Sequence, residues 1–191
     1  MAGNPVKDPQ DDEVRKTFVL DTINPTIENT VDKKRITYQD AEGMNYSNQD
    51  VTITTIVKER FIDESRIDLN LIKDGKAYGP ENPTLENWIK DQKKYGVTVT
   101  KEGKPSGSHD SKIIITFTIH AEKNQEHKYE YSTLATDYSG NSSKLSERIA
   151  LCLDQKNPDV KITYTPTNKD NQQEAALNPN SKSITYLGED Y

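Results

Sequence analysis

The chain has 191 residues, 31% of them hydrophobic and 29% charged, with a formal net charge of −6. This hydrophobic fraction is low for an ordinary globular domain, so we do not expect one large core spanning the whole chain. The acidic balance argues against nucleic-acid binding, which needs clustered Lys and Arg. No run of about 18 apolar residues occurs, so no membrane insertion is expected.

Short segments that alternate apolar and polar residues, rich in Thr, Val, Ile and Tyr, predict β-strands along most of the chain. In chain order the predicted strands are 14–20, 35–38, 51–57, 66–72, 97–100, 113–121, 129–136, 147–153, 160–164 and 183–187. Turn sequences containing Gly, Asp and Asn separate several of them. Many short strands at this spacing predict an all-β protein, an antiparallel β-sandwich.

One segment departs from the strand pattern and predicts a short helix near 83–91. Asn82 is a candidate N-cap, and Pro83 suits the first helical position. Leu85, Trp88 and Ile89 would then share one face. We expect this face, with the only Trp of the chain, to plug one end of the core.

A long internal repeat organises the chain. Phe18–Ile27 matches Leu151–Val160 in its apolar positions, in Asp21 and Asp154, and in the Asn-Pro pair that follows. A period near 130 residues is too long for a solenoid and predicts tandem domains. Residues 1–22 would end a preceding unit, 23–154 would form a complete unit, and 155–191 would begin an incomplete following unit.

An ordered set of motifs resembles the bacterial Ig-like domains that occur in tandem in surface proteins of Gram-positive bacteria. The matching residues are Phe18–Asp21 with Asn24-Pro25, the strand, acidic link and strand of Val51–Gly75, and the Tyr-bearing strand and turn of Tyr129–Asn141. The resemblance implies an extracellular place on the cell surface or cell wall, within a longer precursor. Neighbouring Ig-like domains of the same chain would be partners. The polar stretch 76–111 departs from the pattern.

Calcium is the metal that the sequence favours, because side-chain oxygen donors are abundant at the predicted junctions and turns. Asp21, Asp137, Asn141 and Asp154 are the candidate ligands. The alternative is that these side chains only cap turns and junctions by hydrogen bonding. No other cofactor is expected.

The sequence does not predict an enzyme. Ser108-His109-Asp110 are consecutive, whereas the members of a catalytic triad converge from separate elements. His120 and His127 have no Cys partner at zinc-site spacing. A Lys–Asn isopeptide crosslink, known in some Gram-positive surface folds, is a further alternative for the chemistry of this chain.

These features predict a structural spacer, a stalk segment of a secreted or wall-attached bacterial protein. One alternative is an adhesin module that binds a host protein or glycan through 76–111, with Tyr78, Trp88, Tyr95 and His109 as candidate contacts. Another is an accessory module of an extracellular carbohydrate-active enzyme. Exposure of Trp88 and Tyr95 together would favour binding, whereas burial of both would favour the spacer.

Overall fold

The computed structural model describes residues 20–107 and 111–159, and these form ten strands and one short α-helix. The strands are β1 (Thr26–Val31), β2 (Tyr38–Gln39), β3 (Asn45–Ser47), β4 (Val51–Lys58), β5 (Ile62–Lys73), β6 (Lys76–Ala77), β7 (Val97–Glu102), β8 (Lys112–Ile119), β9 (Glu126–Asp137) and β10 (Ile149–Asp154). The helix α1 spans Leu85–Asp91, and 3-10 turns occupy Lys33–Arg35 and Gln92–Tyr95. The predicted strands 160–164 and 183–187, and nearly all of 14–20, lie outside the described residues.

The strands form two sheets, so the predicted all-β sandwich is confirmed. The first sheet has the order β1-β4-β8-β7 and the second has β2-β3-β10-β9-β5-β6. The seven described strands of six or more residues can be lettered A to G in chain order, as β1, β4, β5, β7, β8, β9 and β10. With these letters the first sheet has the order ABED and the second contains GFC, as in an immunoglobulin sandwich. The pairing is antiparallel except between β3 and β10, which are parallel. This parallel pair lies within the predicted antiparallel sandwich, and it involves β3, which follows the crossing of the chain from β1 in the first sheet to β2 in the second.

The core lies between the two sheets and is built by the period-two alternation of the long strands. The inward residues of β8 are Ile113, Ile115, Phe117 and Ile119, all buried. Because successive strand residues point to opposite faces, the same alternation leaves Thr116 and Thr118 on the outer face. The hydrophobic residues therefore suffice for one sandwich, although they are too few for a core spanning the chain.

The short helix is confirmed, but it begins two residues later than the sequence indicated. Thr84 is the N-cap, and its side-chain oxygen accepts the N–H of Asn87. The carbonyl of Pro83 accepts the backbone N–H of Leu69 in β5, so 83–84 is held in an extended conformation and cannot join the helix. The helix covers the side of the sandwich between β5 and β7 rather than plugging an end.

Strand β1 was not among the predicted strands. It pairs with β4 over six residues, from Thr26 opposite Lys58 to Val31 opposite Ile53. Its residues are mostly exposed or half-buried because it is an edge strand, so its apolar content is low. The predicted strand 35–38 was misplaced, since Arg35 ends a 3-10 turn and β2 begins only at Tyr38.

The sandwich has two ends, which lie at the two ends of β9. The N-terminal pole is the end where Asp21 approaches Asp137, the last residue of β9. The C-terminal pole is the end where Asp154, the last residue of β10, pairs with Glu126, the first residue of β9. Eleven strand steps separate these ends, a distance of about 36 Å at roughly 3.3 Å per residue. Within the part of the chain described, no helix has the length and apolar character needed to cross a membrane.

Candidate functional site

A tight turn after β9 holds a buried carboxylate at the N-terminal pole. Asp137 is fully buried. The backbone N–H of Asn141 donates to its Oδ1 at 2.8 Å, and the Asn141 side-chain amide donates to its Oδ2 at 2.9 Å. Gly140 within the turn has φ +90°, a conformation that L side chains rarely adopt. The Asp-x-x-Gly-Asn sequence therefore fixes the direction of one carboxylate.

Asp21 is brought to this turn by the same asparagine. The Asn141 side-chain amide also donates to the backbone carbonyl of Asp21, at 2.9 Å, so the segment before β1 is anchored to the end of β9. Oδ1 of Asp21 accepts the N–H of Ile23 at 3.0 Å. Oδ2 of Asp21 is buried and has no hydrogen-bond partner.

Glu59 is the third carboxylate of the cluster, and the sequence reasoning did not single it out. It directly follows β4, where its backbone N–H donates to the Ser111 carbonyl at 3.3 Å. Glu59 is only 7% exposed, and one of its carboxylate oxygens accepts the N–H of Arg60. Oxygens of Asp21, Glu59 and Asp137 all lie within 4.8 Å of one another. We call these three residues the acidic cluster.

The acidic cluster has no basic partner among residues 20–107 and 111–159, because none of the ion pairs there includes Asp21, Glu59 or Asp137. Buried carboxylates without a compensating charge are unfavourable. An all-oxygen donor set suits Ca²⁺ or Mg²⁺, whereas zinc sites use His and Cys. An open cavity of about 330 Å³ adjoins the cluster, and it is lined by 20–24, Thr26 and 58–61.

The structure separates the fourth predicted calcium ligand from the other three. Asp21, Asp137 and Asn141 come together at the N-terminal pole, although Asn141 contributes donors that orient its neighbours. Asp154 is exposed at the C-terminal pole, where its Oδ1 accepts the N–H of Lys156 at 2.8 Å. The two aspartates of the repeat therefore lie at opposite ends of this sandwich.

The candidate binding aromatics do not form an exposed cluster. Trp88 is fully buried, and its indole Nε1 donates to the Leu69 carbonyl at 2.7 Å. Tyr95 is half-buried against Trp88, with ring centroids 5.6 Å apart, and Tyr78 packs on Tyr95 at 5.4 Å. These rings are part of the core and its margin. His109 lies outside the described residues.

Charged side chains at the C-terminal pole are paired, with Asp74 and Glu122 about half exposed and Lys73 and His127 more deeply buried. His127 Nδ1 is 2.7 Å from Asp74 Oδ2, and Lys73 pairs with Glu122. The backbone N–H of Lys128 and the His127 ring lower the pKa of Asp74. The hydrogen bond from Lys73 lowers the pKa of Glu122, which also lies 3.6 Å from His127 Nε2. These groups satisfy one another within the protein.

No protein-family model matches the chain, and no curated protein matches it. The resemblance to bacterial Ig-like domains therefore depends on the ordered motifs and on the sandwich in which they lie.

Proposed function

We propose that this chain is a non-enzymatic spacer, a segment of tandem Ig-like sandwiches in a bacterial protein of the cell surface. The observation that carries the proposal is the position of the two junction aspartates. Asp21 lies beside Asp137 at one end of β9, and Asp154 pairs with Glu126 at the other end. A unit that the chain enters and leaves at opposite poles lengthens an array by its full strand length.

The repeat supports the same arrangement. Asp21 precedes β1 by five residues, and Asn24-Pro25 lies between them. Asp154 ends β10 and is followed by the corresponding Asn157-Pro158. A following unit would thus take its first aspartate from the last strand of this unit, and no separate linker would be needed. The proline removes a backbone donor and limits φ at each junction.

The direction of β1 and β10, the first and last of the described strands, suits a load-bearing role. β1 forms six residue pairs with β4, and β10 forms six with β9, and both ladders run between the poles. A force applied along this axis acts parallel to the strands, so each ladder must break as a whole. A force applied across a ladder would open its hydrogen bonds one pair at a time. The burial of Trp88 also favours a spacer over a module that binds through 76–111.

Single-molecule force spectroscopy on the full chain tests this proposal. Tethering at the two termini should give one distinct unfolding peak that releases roughly 40 nm of chain, at about 3.5 Å per residue. The matched control changes Asn48 and Asp154 to Cys, in a Cys152→Ala background, and pulls from those two positions. Both lie at the C-terminal pole, where the Gln155 side chain donates to the Asn48 carbonyl. We expect a clearly lower force in the control, and equal forces in the two geometries would contradict a load-bearing role.

A further inference from the structure

We infer that Asp21, Glu59 and Asp137 form a Ca²⁺ site at the N-terminal pole, which locks the segment before β1 onto the sandwich. The three carboxylates come from three separate parts of the chain: the junction, the end of β4 and the end of β9. Their oxygens lie within 4.8 Å of one another, so one ion can contact all three. The inference rests on the geometry of the cluster and does not require the spacer role.

The buried oxygen of Asp21 points to a ligand independently of the clustering. Oδ2 of Asp21 is shielded from solvent and accepts no hydrogen bond. A buried polar atom left without a partner has lost its hydration without compensation, so such atoms are rare in folded proteins. A cation coordinated by this oxygen would remove that penalty.

The charge balance leads to the same ligand. Asp137 is fully buried and Glu59 is 7% exposed, and no Lys, Arg or His of the described residues forms an ion pair with the three carboxylates. The Arg66 guanidinium donates to the backbone carbonyl of Asp137, not to its carboxylate. Asn141 donates hydrogen bonds to Asp137 and to the Asp21 backbone, so it orients the cluster without neutralising it. A divalent cation supplies the missing positive charge.

The choice of Ca²⁺ follows from the donors and their setting. The three carboxylates come from separate segments of the chain rather than from one regular loop, which suits the variable coordination of Ca²⁺. Mg²⁺ instead demands a near-ideal octahedron. The adjoining cavity leaves room for water to complete the coordination shell. Extracellular modules bind Ca²⁺ with dissociation constants of about 0.1–1 mM, and we expect this site in that range.

Thermal unfolding of the full chain, first stripped with chelator and then titrated with CaCl2, tests the site. At about 10 mM Ca²⁺ we expect Tm to rise by roughly 3–8 °C, because an ion that binds only the folded state stabilises it by mass action. The same concentration of MgCl2 should give a smaller rise. An unchanged Tm in CaCl2 would overturn the site, and an equal rise in MgCl2 would overturn the assignment to Ca²⁺.

Two variants separate a metal site from a purely structural cluster. Asp21→Asn replaces the unpartnered oxygen with an amide that can donate to the neighbouring carboxylates, and Glu59→Gln removes one negative charge. Both should lose the Ca²⁺-induced rise, and in chelator both should melt at or above the Tm of the unmodified chain. The matched control, Asp154→Asn, changes the same repeat motif at the other pole and should keep the full rise. A full rise in Asp21→Asn and Glu59→Gln would overturn the inference.

Discussion

The acidic side chains at the two poles of the sandwich differ in their burial and in their pairing with basic side chains. At the N-terminal pole, three carboxylates gather in a mostly buried cluster, and no basic side chain of the described residues forms an ion pair with them. At the C-terminal pole, Asp74 and Glu122 are about half exposed and are paired with His127 and Lys73. Both poles are rich in acidic residues, so composition alone does not distinguish them.

The difference shows what makes an acidic cluster informative. Exposed ion pairs such as Lys156–Glu126 are screened by water and contribute little to stability. Buried carboxylates have lost their hydration and must recover that energy from a partner. Among the described residues, the clustered carboxylates of the N-terminal pole accept hydrogen bonds but have no ion-pair partner, and for this reason it is the pole where a ligand is expected.

The largest expected effect comes from removing a carboxylate at the N-terminal pole. Asp137→Ala should lower the free energy of unfolding by about 2–4 kcal/mol in calcium-containing buffer, because two donors of Asn141 lose their acceptor. Chemical denaturation followed by circular dichroism measures the change. Glu126→Ala at the C-terminal pole is the matched control, because Glu126 pairs with the exposed Lys156, and it should cost less than about 1 kcal/mol. Equal losses in the two variants would remove the distinction between the poles.

The sequence predicted the parts of the fold that alternate strongly. β4, β8 and β9 were found because each places mostly apolar residues at its alternate, inward positions. β1 was missed because an edge strand needs little apolar surface. Its pairing with β4 depends on residues distant in sequence, so no local pattern marks it. The start of α1 was misplaced for a similar reason, since the Pro83 carbonyl is taken by Leu69 of β5.

The sequence predicted only part of the candidate site. Asp137 and Asn141 are four residues apart in a recognisable turn, and the repeat drew attention to Asp21. Glu59 is brought to them by the sheets, and no local pattern marks it as different from other acidic residues. The repeat also grouped Asp154 with Asp21, although the length of β9 separates them. Sequence similarity identifies equivalent positions in successive units, and it does not say which of them meet.

Tyr129 is buried near the C-terminal pole, and its titration should differ from that of the ion-paired side chains there. Burial raises the pKa of Tyr129 to about 12 from an ordinary 10.0, an effect that the nearby Lys73 opposes. The raised pKa means that this tyrosine contributes stability fully below pH 10, and that the contribution is lost as pH rises through about 12. Tyr129→Phe should flatten the decline in unfolding free energy over this range, as measured by denaturation at stepped alkaline pH. A decline identical to that of the unmodified chain would show that Tyr129 is not its source.

The smallest expected effect concerns Asp74, whose side chain is 51% exposed. Hydrogen bonds from the Lys128 backbone and from His127 lower its pKa below the ordinary 3.8. A lowered carboxyl pKa stabilises the fold above pH 3.8, and this contribution is lost as pH falls through the lower folded-state value. Asp74→Asn should therefore lower the stability near pH 7 slightly, because that contribution is present there, and should reduce the steepness of acid unfolding below pH 3.8. Asn is the suitable replacement because residue 74 has φ +51°, which Asn tolerates better than Ala. If Asp74→Asn instead lowered stability near neutral pH as much as Asp137→Ala does, exposed pairing would matter as much as burial, and the contrast between the poles would fail.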